Sequence, residues 1–191
     1  MHSAHPELTA ALGLMLDKLD ISIRESGYTG EPVKMYAAGG IAVHYFCGTR
    51  YTADVDATFS HRILIPFGDL VVKYKRDDGR SASLYLDPTY NDHFALLHPD
   101  HRDSAVEWEG IGNERRLVKL LALSPVDLAV SKVSRFSEQD HEDILALASR
   151  RFFSAGQLRQ RAEEALDYYV GDTRWIRGTI DQLCSEITAL N

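Results

Sequence analysis

Two aspartates, Asp54 and Asp56, flank one valine in the stretch "RYTADVDATF" at residues 50–59. Residues i and i+2 of a strand project from the same face. The two carboxylates are therefore expected side by side, with Val55 turned the other way into a core. Like charges so placed repel unless a cation lies between them. A hard divalent ion with oxygen ligands, Mg²⁺ above all, suits such a pair and completes its coordination with substrate phosphates. Upstream, Gly39-Gly40 follows the short apolar run "VKMYA". A backbone without Cβ can approach a ligand closely. The N–H groups that open the following helix favour a phosphate anion. A phosphate corner and a carboxylate pair joined by one short helix are expected to form a metal-and-phosphate site.

Those groups need elements to hold them. Residues 33–37 read as a buried strand, 41–47 as a short helix closed by Gly48, and 54–59 as a second strand. Leu8, Leu12, Met15, Leu16 and Leu19 recur at helical spacing and predict an amphipathic helix over 6–26. Strand-like runs on both sides of Asp77-Asp78-Gly79 predict a hairpin, because Asp and Gly tolerate the positive φ of tight turns. Further strands are expected near 105–108 and 116–121. At Ser124 the character changes to four helices, the first with a Ser cap and Pro at its first position, the second with Ser137 followed by acids in its first turn. The expected fold class is α+β. A small mixed sheet with an N-terminal helix occupies 1–122, and a C-terminal helical domain occupies 123–191.

The chain of 191 residues is 45% hydrophobic and 26% charged, which are ordinary globular values and argue against disorder. Its net charge of −7 disfavours a broad nucleic-acid footprint. The longest apolar runs, such as "LVKLLAL" at 117–123, fall short of a membrane span. Glu7, Asp17, Lys18 and Asp20 interrupt the N-terminal apolar residues, unlike a signal peptide. Cys47 and Cys184 lie far apart and read as two reduced thiols of a cytoplasmic protein.

The glycine–aspartate stretch resembles the signature of the nucleotidyltransferase superfamily with the polymerase β-like fold. The likeness is nearest to small prokaryotic members of the kind seen in AbiEii-type toxins. Their pattern runs Gly-Gly, a short helix, then Arg-x-Thr-x-Asp-hydrophobic-Asp, and here it reads Gly39-Gly40, then Arg50-Tyr51-Thr52-Ala53-Asp54-Val55-Asp56. The resemblance extends to "LSPVDLAVSKVSRFSEQDHEDI" at 123–144. It implies a Mg-dependent enzyme that moves a nucleoside monophosphate from a nucleoside triphosphate to an acceptor hydroxyl. Two Mg²⁺ ions would sit on Asp54, Asp56 and a third acid, for which Asp87 is the candidate and Asp92 the reserve. Asp87 would also draw the acceptor proton. Gly39, Gly40, Arg50 and Lys132 would serve the phosphates, with Asp140 and Asp143 orienting Lys132 or Arg135. The acceptor is left open among RNA such as transfer RNA, a protein side chain and a small molecule, and a toxin or antitoxin partner is implied. The sequence departs from the pattern at Ile41, where many members carry Ser or Thr. That departure supports the alternative of a non-catalytic nucleotide- or protein-binding module.

Arg135 and His141 have an Arg-x5-His spacing used by some helical ribonucleases, which gives a third reading. His93, His98 and His101 lie in a stretch broken by Pro99 and read as a polar loop. Arg150, Arg151, Arg159 and Arg161 form a basic strip, while Trp175 and Tyr168-Tyr169 are expected in packing.

Overall fold

The computed structural model describes residues 5–64 and 66–190. It is mixed α+β, with two compact units. One comprises Met1–Tyr90 with Val106–Ala122, and the other Asn91–Ala105 with Leu123–Asn191. The division at residue 122 expected from sequence differs from this one in the loop 91–105. That loop joins the helical unit through Asp100, which accepts from Arg161, and Ser104, which donates to Asp127.

The first unit opens with α1 (Pro6–Glu25), which buries Leu8, Leu12, Met15, Leu16, Leu19 and Ile23 along one face. Asp20 ties this helix to the sheet: its carboxylate accepts from the Leu117 and Val118 amides and, at 2.7 Å, from Arg24. The strands are β1 (Val33–Ala37), β2 (Asp54–Val55), β3 (Ala57–Phe59), β4 (Val72–Lys75), β5 (Ser81–Leu86), β6 (Val106–Glu107) and β7 (Val118–Ala122). One sheet has the order β3-β1-β7-β6 and the other β2-β5-β4. β1 runs parallel to β7 and antiparallel to β3. β4 and β5 form the antiparallel hairpin expected around Asp77-Asp78-Gly79.

The strand expected over 54–59 divides at Asp56. Before that residue, β2 pairs in parallel with β5, and the Asp87 amide donates to the Val55 carbonyl. At Asp56 the backbone carbonyl accepts from the Ala38 amide, and β3 then continues beside β1. Asp56 therefore stands where the chain passes from one sheet to the other. Between β1 and β2 lies α2 (Gly39–Cys47), closed by Gly48 at φ 69 with its amide bonded to the His44 carbonyl.

The second unit carries α3 (Pro125–Val133), α4 (Glu138–Ser149), α5 (Ala155–Leu166) and α6 (Arg174–Ala189). Ser124 caps α3 through the Asp127 amide, and Ser137 and Ser154 form reciprocal capping boxes with Asp140 and Gln157. Among the described residues, no helix is long and apolar enough to cross a membrane.

Candidate functional site: a glycine corner against two carboxylates

Gly39 has φ +56, a left-handed conformation that disfavours side chains. The space is also taken: a β-carbon built on Gly39 would stand 1.9 Å from Oδ2 of Asp56. One on Gly40 would stand 3.1 Å from Thr52 Oγ1 and 3.3 Å from Arg50 Nε. The sequence needs two glycines here because the side chains of the Asp-x-Asp segment press directly on the start of α2. The corner thus gathers Gly39, Gly40, Arg50, Thr52 and Asp56.

The same corner presents donors. Ala38 precedes α2 and provides no side-chain cap. The first intrahelical bond runs from the Ala42 amide to the Ala38 carbonyl, so the amides of Gly39, Gly40 and Ile41 come before the helical ladder starts. Ile41, which departs from the Ser or Thr of many similar sequences, is fully buried in apolar packing.

Val55 is fully buried while Asp54 and Asp56, on either side of it, are half-buried. Thr52 reaches forward, its hydroxyl donating to a carboxylate oxygen of Asp54. Thr52 belongs to the motif, but reading the sequence gave it no role. His44 fixes the segment from beneath. Its Nδ1 donates to the Arg50 carbonyl at 3.1 Å, which leaves Nε2 to accept from the Thr9 hydroxyl at 3.1 Å. Burial first of all lowers its pKa and keeps the ring neutral. The donor chemistry fits Mg²⁺: two part-exposed carboxylates lie beside an uncapped helix start, with no nitrogen or sulfur ligand among the motif side chains.

Asp87 follows β5 directly, and its backbone adjoins Val55. Its side chain turns into its own loop, where Oδ1 accepts from the Thr89 amide and hydroxyl, both at 2.7 Å. It also borders a shallow cavity of about 390 Å³ with Thr58, Ser60, Arg62 and Tyr90. Asp92, the reserve acid, is in the second unit. There it accepts from Arg102 at 2.8 Å and contacts His101 at 3.5 Å. The hydrogen bond to His101, then that to Arg102, holds its carboxyl well below the usual range. Asp92 is therefore engaged in a structural ion-pair network.

Lys132, expected beside the phosphates, is 5% exposed and stands 3.2 Å from Asp140 and 2.9 Å from Asp143. Asp140 also accepts from Arg135 at 2.6 and 2.7 Å and from Ser137. In this arrangement the lysine serves the packing of α3 on α4. The ribonuclease pair is likewise engaged: Arg135 grips Asp140, and His141 Nε2 lies 2.5 Å from Glu186.

A strand that ends in a glycine corner, turns through one short helix and returns with paired aspartates is the core of a nucleotidyltransferase. The model of the family described as "Nucleotidyltransferase of unknown function (DUF6036)" matches residues 16–178, and the chain belongs to that family. No curated protein matches it.

Proposed function

We propose that the protein transfers a nucleoside monophosphate from a nucleoside triphosphate to an acceptor hydroxyl. The contact of Asp56 with the Gly39 backbone carries this reading, because it sets a carboxylate beside amides suited to a phosphate. The amides of Gly39, Gly40 and Ile41 would bind phosphate oxygens, with Arg50 adding charge. Asp54, held by Thr52, and Asp56 would hold Mg²⁺. When bound, the metal offsets negative charge on the phosphates and orients them for in-line displacement. The acceptor oxygen attacks the α-phosphorus, the bond to the β-phosphate bridging oxygen breaks, and pyrophosphate leaves. Asp87 would take the acceptor proton once its oxygen is released from Thr89. Lys132 has a structural part in this mechanism.

The test uses each α-labelled triphosphate with Mg²⁺ and total cellular RNA and protein. Label transfer is expected, falling about 100-fold or more in Asp54→Asn and in Asp56→Asn. No transfer, or transfer unaffected by either change, would overturn the reading. The capture of Asp87 by Thr89 favours one second reading, a non-catalytic module of the same fold, for which nucleotide binding without turnover is the expected result. Growth arrest on expression that depends on Asp54 and Asp56 would support a toxin–antitoxin role.

A further inference from the structure

A second group of ligand-type side chains lies apart from the glycine corner, in the same unit. His5 immediately precedes α1, Glu7 sits in its first turn, and Asp77 occupies the β4–β5 turn. One ligand atom from each lies within 4.8 Å of the other two. Their convergence is supported by Tyr51, the residue after Arg50. Its ring stacks on His5 with centroids 3.7 Å apart. Its hydroxyl contacts Glu7 and, at 3.0 Å, Asp77. One phenolic proton can satisfy only one of these carboxylates at a time. Arg76 packs on the same ring, its guanidinium 4.4 Å from the centroid.

We propose that His5, Glu7 and Asp77 form a second metal site, for a borderline divalent cation such as Zn²⁺ or Mn²⁺. One imidazole and two carboxylates match that class better than Mg²⁺, which takes oxygen ligands and water. The spacing is close to what coordination requires. His5 Nδ1 lies 3.9 Å from Glu7 Oε1. Two ligands at about 2.1 Å from one tetrahedral zinc stand about 3.4 Å apart, so closing the His5–Glu7 pair needs a shift of about half an ångström. The side chains of His5 and Glu7 are 16% and 19% exposed, whereas Asp77 is exposed and can swing onto the ion. Tyr51 then orients the carboxylates from outside the coordination sphere. The metal would fasten the start of α1 to the hairpin turn and to the segment 50–54 that leads into the Asp-x-Asp pair.

The test titrates chelator-stripped Asp54→Asn/Asp56→Asn protein with Zn²⁺ by calorimetry, without nucleotide. One equivalent should bind, and saturating Zn²⁺ should raise Tm by about 5 °C or more. His5→Ala and Asp77→Asn should each weaken binding about 10-fold or more. Asp77 lies in an exposed turn, so its replacement leaves the fold intact. No binding, or an affinity that neither change lowers, would overturn the proposal. Because the two motif aspartates are already removed, this result is independent of the nucleotidyl-transfer reading.

Discussion

Gly39→Ala probes the corner at a single atom. Two separate penalties are built into the substitution. Alanine at φ +56 carries a left-handed backbone strain of about 1–2 kcal/mol. The new methyl would also fall 1.9 Å from Asp56 Oδ2, and relieving such overpacking costs about 1–3 kcal/mol. Asp56 cannot withdraw by sliding its backbone, because its carbonyl is bonded to the Ala38 amide at 2.8 Å. Its carboxylate must rotate away instead. The total loss is therefore about 2–5 kcal/mol. Gly79 provides the control: it has φ +79 and nothing within 4 Å of a built β-carbon, so Gly79→Ala shows the strain alone. Putting Gly39→Ala into an Asp56→Ala background should likewise bring its effect down to the strain alone, a coupling of about 1–3 kcal/mol. Urea unfolding followed by circular dichroism measures all four variants. Equal losses in the two backgrounds, or a Gly39→Ala loss matching that of Gly79→Ala, would refute the contact.

Four further outcomes follow from buried polar groups. Asp140→Ala leaves Lys132 with one partner in a dry site and should lower stability by about 3–5 kcal/mol in urea, whereas a loss below about 1 kcal/mol would contradict the buried pairing. Burial pushes the Asp140 carboxyl up, but hydrogen bonds from Arg135 and Ser137 outweigh it and hold the group below its ordinary 3.8. Its stabilisation is therefore full above that value and lost as pH falls through the folded pKa, an acid dependence that should flatten in Asp140→Asn. His44 has a folded pKa depressed chiefly by burial, so its neutral form stabilises above 6.5 and that stability is lost on acidification; its ring signal in NMR should titrate below 6.5, and titration above it would be inconsistent. Asp20→Ala should cost about 1–3 kcal/mol by unpairing the Leu117 and Val118 amides, with no loss counting against that anchor.

Periodic and punctuated features were legible in the sequence. The apolar stripe of α1, the Asp-Gly hairpin and the serine caps of α3 and α4 each rest on local rules, and each element formed where those rules put it. The nucleotidyltransferase family was legible for the same reason, since the glycine pair and the Asp-x-Asp segment stand in sequence at a fixed spacing. What depended on distant partners was not. The strand 54–59 divides at Asp56 because β5 and β1 claim different halves of it, and neither partner can be read from that stretch. The acids Asp140 and Asp143 that follow Lys132 in the sequence do pair with it, but the depth of its burial depends on how α3 packs and is not written in that stretch. The orientation of Asp87 follows from a bond to Thr89, a common turn habit that competes with any outward role. Trp175 and Tyr168, expected in packing, are 48% and 61% exposed: the buried face of α6 is filled by Ile176, Ile180, Leu183 and Ile187, and Tyr168 lies in the turn after α5.

Binding of a non-hydrolysable nucleoside triphosphate, measured by calorimetry with and without Mg²⁺, tests the corner most directly. Binding should require Mg²⁺ in the native chain and weaken about 10-fold or more in Asp54→Asn/Asp56→Asn. Mg²⁺-independent binding, or equal affinity in the double variant, would contradict the assignment of these aspartates and the Gly39 backbone to one metal–triphosphate site.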